Sequence, residues 1–203
     1  MLKVGVIALQ GDVSEHVEAM KRALAGGGIV VEIRRAGMAT KCDGLILPGG
    51  ESTTICRQLE ASGIGKEIAQ AAAAGVPIMA TCAGLVLVSS SIEGDCKVRP
   101  LGLMDTKIGR NAFGPQRESF EANLFVKGFD HPYRAVFIRA PAIVDVGKGV
   151  QVLAKINDYV VAARQRNLLC LAFHPELTDD LRFHQIFLEM MEKKKRKEME
   201  MEA

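Results

Sequence analysis

The 203-residue sequence predicts a single α/β domain, a three-layer sandwich whose central, mostly parallel sheet carries appended antiparallel strands. Two observations carry that expectation. Strand-like apolar runs alternate with helix-like stretches through the first 90 residues, the pattern of parallel strands covered on both faces. Beyond residue 95 the texture changes to short β-like runs separated by turn residues, with few helices. Scale agrees: 48% of residues are hydrophobic and 25% charged. A chain of this length buries about 70% of its extended surface, so no disulfide or metal is needed to hold its core.

The opening run KVGVIALQ, bounded by Gly11-Asp12, suits a buried strand. Asp12 and Glu15 have capping-box spacing for a helix reaching about Ala25, where Gly26-Gly27-Gly28 stops it. Ile29–Arg34 and Gly44–Leu47 are the second and third strands, the latter closed by Pro48-Gly49-Gly50. Ser52 and Thr53 are candidate caps for a helix through about Ala61, and a further helix spans Ile64–Ala74. Val76–Ala80 is the fourth strand, followed by Thr81-Cys82-Ala83-Gly84 and an apolar helix, Leu85–Ser90. The later β-like runs are Ser119–Val126, Ala135–Arg139, Val150–Ile156, Tyr159–Arg164 and Leu168–Phe173, and a helix from about Asp179 closes the chain. With no repeat or low-complexity linker, one domain over residues 1–190 is expected, with a charged tail at 191–203.

Composition excludes several function classes. A net charge of +2 argues neither for nor against nucleic acid, but 5% aromatic residues without tryptophan offer no stacking platform for single strands. No apolar run approaches the ~18 residues of a membrane span, and the N-terminus opens on a strand rather than a signal peptide. Five cysteines (Cys42, Cys56, Cys82, Cys96, Cys170) cannot all pair, and none has zinc-ligand spacing. A reducing, cytoplasmic setting is expected, with no metal, no cofactor, no membrane and no nucleic acid.

The chemistry concentrates at three strand ends. At Val76–Gly84 a buried strand turns sharply into a helix with Cys82 at the turn and small residues, Ala80 and Gly84, two positions either side. That is the logic of a nucleophile elbow, and a helix N-terminus turns its positive end toward the sulfur. The plainer alternative is a buried, inert cysteine. A cysteine nucleophile needs a base, and the base an orienting group. Of four histidines, His16 suits a solvated or core-edge place on the first helix, His131 a turn, and His184 packing among Phe183, Phe187 and Leu188. His174 emerges from the end of a strand, with Glu176 two residues on and Pro175 fixing the backbone between. Active sites of open α/β sheets gather at such carboxyl ends. The third piece, Pro48-Gly49-Gly50-Glu51-Ser52, is either a plain tight turn or a cradle of backbone N–H groups. In the second case the Gly50 and Ala83 amides would form an oxyanion hole.

Together, MLKVGVIALQGDVSEH, LILPGGESTT, ATCAGL, RNAFG, SFEA, FIRAP and FHPELTDD resemble the glutaminase subunits of two-protein pyridoxal 5′-phosphate synthases, a branch of the triad-type (class I) glutamine amidotransferases. The motifs run from residue 1 to about residue 180. The resemblance implies the class I amidotransferase fold and a Cys82–His174–Glu176 triad. Cys82 would attack the side-chain amide of L-glutamine, and the Gly50 and Ala83 amides would hold the oxyanion. Gly49, Gly50, Glu51, Arg110, Ile138 and Arg139 would bind the substrate. The resemblance further implies a (β/α)-barrel synthase partner that receives the ammonia. Ala80 stands where the family's elbow has glycine, and Pro115 where a basic residue is expected.

Rival readings are a related glutaminase serving another acceptor, a stress-protein-like cysteine hydrolase or deglycase, and a binding subunit whose chemistry has lapsed. Gly63-Ile64-Gly65-Lys66 lacks the spacing and hydroxyl of a phosphate loop. Lys193–Lys197 reads as a solvated basic face at a helix end.

Overall fold

The central sheet is built of β1 (Leu2–Ile7), β2 (Gly28–Ile33), β3 (Gly44–Leu47), β4 (Ile78–Thr81), β5 (Ser89–Ile92), β6 (Met104–Gly109), β9 (Ala142–Val146), β10 (Gln151–Ile156), β11 (Tyr159–Gln165) and β12 (Leu168–Leu171). Among the described residues they form a continuous path in the order β2-β1-β3-β4-β12-β11-β9-β6-β5, with β10 pairing β11 off that path. The helices are α1 (Val13–Leu24), α2 (Ser52–Ser62), α3 (Ile64–Ala73), α4 (Ala83–Val88) and α5 (Arg182–Glu202). The computed structural model describes residues 1–94, 97–110, 112–114 and 119–202. Cys96 and Pro115 lie outside them.

β2, β1, β3, β4 and β12 are parallel throughout, and β11 joins β12 antiparallel. β3, β4 and β12 are buried along their whole length, as their apolar sequences require, with Thr81 at the end of β4 the one polar side chain. The expected mostly parallel sheet with appended antiparallel strands is the observed architecture.

Details differ for physical reasons. Two of the later β runs form a separate antiparallel pair, β7 (Ser119–Leu124) with β8 (Tyr133–Ile138). The serine-rich β5, the charge-interleaved β6 and the short β9 after Pro141 had no strand signal. The elbow helix α4 stops at Val88, because the Ser89 hydroxyl donates to the Val86 carbonyl at 2.8 Å and the backbone turns extended into β5. Asp12 precedes α1 without capping it, since its carboxylate is drawn to His174. The cap of α2 is Glu51, one residue before the expected Ser52. The last helix runs unbroken through residue 191: Met190 and Met191 pack into the core, and the basic run beyond continues as helix, with Lys195 3.8 Å from Asp43.

Behind the end of β12 lies an aromatic cluster. Phe173 sits between Phe137 of β8 and Phe183 of α5, with ring centroids 5.5 and 5.3 Å apart, and Tyr133 meets Phe183 edge-on at 4.8 Å. Each such ring contributes roughly 1.5–3 kcal/mol on burial. The cluster anchors the residue immediately before His174. The amide of His174 then donates to the Val136 carbonyl at 2.9 Å, tying it to β8.

Candidate active site

β1, β3, β4 and β12 are neighbours and run the same way, so the segments leaving their carboxyl ends meet on one edge of the sheet. Those segments carry Gln10-Gly11-Asp12, Gly49-Gly50-Glu51, Cys82 and His174.

Cys82 occupies φ 48°, ψ −105°, a conformation L-residues rarely adopt. Such strain costs on the order of 1–3 kcal/mol and persists only where the surroundings enforce it. They do so here. The Cys82 amide donates to the Leu171 carbonyl at 2.9 Å, and its carbonyl accepts from Val86 as α4 begins. Gly84 is held so close to β3 that a methyl group there would overlap the Leu47 carbonyl oxygen. Gly84→Ala is therefore expected to destabilise the fold by about 1–3 kcal/mol. A melting curve checks this, at roughly 2–4 °C per kcal/mol for a chain of this size. Ala80, in contrast, sits fully buried in the β4 ladder opposite Leu47 and Cys170, where its methyl is accommodated.

His174 is buried, with Nδ1 2.7 Å from Glu176 Oε1 and 3.3 Å from Asp12 Oδ2. Burial opposes a charged imidazole, but hydrogen bonding from Asp12, Cys82 and Glu176 outweighs it and pushes His174 up to about 12. A histidine held this way favours an imidazolium beside the cysteine sulfur. Pro175 starts a single 3₁₀ turn, Pro175–Leu177, that folds the fully buried Glu176 carboxylate back under the ring. The other described cysteines contrast with Cys82: Cys42 and Cys170 are buried with their thiols pushed up by desolvation, and Cys56 donates to the Arg99 carbonyl.

A cavity of about 450 Å³ opens in front of Cys82. Gly50, Glu51, Ala83, Arg110, Ile138, Arg139 and His174 line it, while Gly49 and Glu176 stand behind the lining. Gly49 packs against the ring it faces, since a methyl there would come within 2.6 Å of His174 Cε1. Gly50 has φ 146°, and its amide, like that of Ala83, takes part in no hydrogen bond among the described residues. The Cys82 thiol donates weakly to the Ile138 carbonyl at 3.8 Å, and the adjoining Arg139 holds φ 42°.

Glu51 caps α2: Oε1 accepts from the Thr53 amide at 3.0 Å and Oε2 from the Thr54 amide and hydroxyl at 2.7 Å each. Burial resists the charge, but these donors prevail and hold its carboxyl down to about 2. Glu51→Ala should therefore lower stability by about 0.5–2 kcal/mol, toward the low end because the cap is exposed. The cap's contribution is complete above the ordinary carboxylate range and disappears as the pH falls through about 2. Melting curves of both proteins, recorded at neutral pH and down through that range, should converge.

Three residues of the first motif were not read as site residues. Gln10 lines the cavity and accepts the Glu51 amide at 2.7 Å. Asp12 is the second carboxylate on His174, which draws its own carboxyl below the usual range. His16, expected at a solvated or core-edge place, is fully buried against Glu176. The signal available was the Gln-Gly-Asp run at a strand end, where Gly11 is obligatory because a methyl would overlap the Gly49 carbonyl. His184 is a packing residue as read, buried with neither ring nitrogen bonded among the described residues. Asp12, His174 and Glu176 offer donor atoms within 4.8 Å of one another, the spread of a metal-ligand set. The 2.7 Å His174–Glu176 contact nevertheless commits both atoms to a shared proton.

The model of the SNO glutamine amidotransferase family matches residues 6–193. A protein of Methanothrix thermoacetophila named pyridoxal 5′-phosphate synthase subunit PdxT is 61% identical over 93% of this chain and 100% of its own length. A protein of the same name from Archaeoglobus fulgidus is 54% identical over 94% and 99%. Among solved structures, one described as a glutamine amidotransferase superimposes with a TM-score of 0.86 at 43% identity, covering 93% of this chain and 98% of that one. PurLQS from Thermotoga maritima, at 16% identity and a TM-score of 0.67 over 95% and 99%, shares the fold.

Proposed function

The chain belongs to the SNO glutamine amidotransferase family, and from that premise we propose that it is the glutaminase subunit of a pyridoxal 5′-phosphate synthase. It hydrolyses L-glutamine to glutamate and ammonia, and the ammonia passes to a barrel-type synthase partner. The observation that carries this reading is the line Cys82, His174, Glu176, whose first two members line a cavity sized for an amino acid with Glu176 behind them.

Each step follows from the groups present. The Cys82 thiolate attacks the side-chain amide carbon of glutamine, forming a C–S bond and a tetrahedral oxyanion facing the Gly50 and Ala83 amides. The C–N bond then breaks as His174, charged in this pocket, gives its proton to the departing nitrogen, leaving a thioester and ammonia. Water attacks the thioester, His174 takes the proton, and the C–S bond breaks to release glutamate and regenerate the thiolate. Glu176 holds Nδ1–H throughout, so that Nε2 is the nitrogen exchanging protons. Arg110 and Arg139 suit the substrate carboxylate, and the Ile138 carbonyl and Glu51 suit its ammonium. The paired His174 and Glu176 favour this reading over an elbow-cysteine hydrolase, which needs neither.

Glutamine carrying ¹⁵N in its side-chain amide tests the proposal. With the synthase partner and its sugar-phosphate substrates present, label is expected in the ring nitrogen of pyridoxal 5′-phosphate. Unlabelled product formed from free ammonium alone would overturn it.

A further inference from the structure

His16 and Glu176 face each other inside the protein, both side chains at 0% exposure, with Nε2 3.2 Å from Oε2. Nε2 also lies 3.0 Å from the hydroxyl of Thr81, the residue immediately before Cys82. Chemistry fixes the proton. A lone pair on Nε2 would point at a buried carboxylate, so Nε2 carries the hydrogen and Nδ1, which has no partner among the described residues, carries the lone pair. Burial disfavours the charged ring more than Glu176 favours it, so His16 is a neutral donor. The groups acting on it are Glu176, His174, Asp12 and Glu15, with His184 of α5 at a ring separation of 6.4 Å. Glu176 Oε1 is taken by His174, and Oε2 has no donor of strict geometry among the described residues. The His16 Nε2–H, shared with the Thr81 hydroxyl, lies 3.2 Å from it.

We propose that His16 is a positioning residue, whose Nε2–H steadies the Glu176 carboxylate so that Oε1 keeps its bond to His174 Nδ1. The relay then runs from Cys82 through His174 and Glu176 to His16, and closes on Thr81 beside the nucleophile. Its consequence for turnover rests on the glutaminase reading; its consequence for Cys82 reactivity does not. Without this donor the buried carboxylate loses orientation and charge stabilisation, and supports the His174 imidazolium less well.

The test compares wild type, His16→Leu, His16→Gln and His16→Asn. One readout is the rate at which iodoacetamide alkylates Cys82 across pH, followed on the Cys82 peptide by mass spectrometry. The other is glutamine turnover in the complex with the synthase partner. Removing an outer partner of this kind typically costs 10–100-fold, so His16→Leu is expected to lower kcat by about that factor while changing KM by less than about twofold. Its Cys82 should also be alkylated about 10-fold more slowly at neutral pH. His16→Gln places an amide N–H near the position of Nε2 and should recover most of both. His16→Asn, whose shorter side chain stops near Nδ1, should not. This Gln–Asn pair decides the matter even if the leucine variant fails to fold. A folded His16→Leu with wild-type kcat and alkylation profile overturns the inference, as does equal behaviour of the Gln and Asn variants. A wild-type complex that turns over no glutamine while His16→Leu still slows alkylation of Cys82 overturns the glutaminase reading and leaves the positioning role standing.

Discussion

Cys82→Ala is expected to abolish glutamate release, a loss on the order of 10⁶-fold, the scale seen when a triad nucleophile is removed. The change should leave the fold intact. Cysteine and alanine both carry a Cβ at φ 48°, so the substitution adds no backbone strain, and the Cys82 and Leu171 backbones remain bonded. What disappears is the only sulfur lining the cavity among the described residues. A discontinuous glutamate assay, with circular dichroism to verify folding, checks the result.

Glu176→Ala should produce the second largest loss, about 10⁴-fold in kcat if the carboxylate acts as triad orienters do. The variant removes the 2.7 Å acceptor on His174 Nδ1 and leaves the His16 N–H without its carboxylate. One feature of this chain moderates the expectation. Asp12 still faces Nδ1 at 3.3 Å, and its carboxylate is about a third exposed, so it is the weaker and more solvated of the two partners. Asp12→Asn alone should therefore cost less than Glu176→Ala. The double variant should cost more than Glu176→Ala alone, because the two carboxylates share one ring nitrogen and are not independent. Steady-state kinetics of the three proteins give the ordering directly.

The parts of this fold legible in the sequence are those whose signal is local. β3, β4 and β12 are apolar runs, and Cys82 announces itself by small neighbours on a strand-to-helix turn. His174 was legible because a strand end, a proline and a glutamate coincide. What escaped depends on contacts distant in sequence. Asp12 has the spacing of a helix cap, yet its partner is His174, 162 positions away, and only the sheet order places them together. His16 lies on a helix whose polar residues look solvated, and its burial follows from Glu176 beneath α1. Glu51 displaced Ser52 as the cap because its longer side chain reaches forward to two amides of the first turn. β5 and β6 were invisible for a different reason: β5 ends the sheet and β6, beside it, alternates buried with exposed positions, so both tolerate serine, aspartate or lysine and lose the apolar pattern.

Under the proposed function, Cys82, His174 and Glu176 form a glutaminase that serves a synthase partner. The decisive experiment is glutamate release from glutamine by the purified chain, measured alone and mixed with the synthase subunit, with Cys82→Ala as control. Activity that appears or rises on mixing and vanishes in the variant is the predicted result. A mixture that releases no glutamate, or one whose Cys82→Ala form releases as much as wild type, would contradict it.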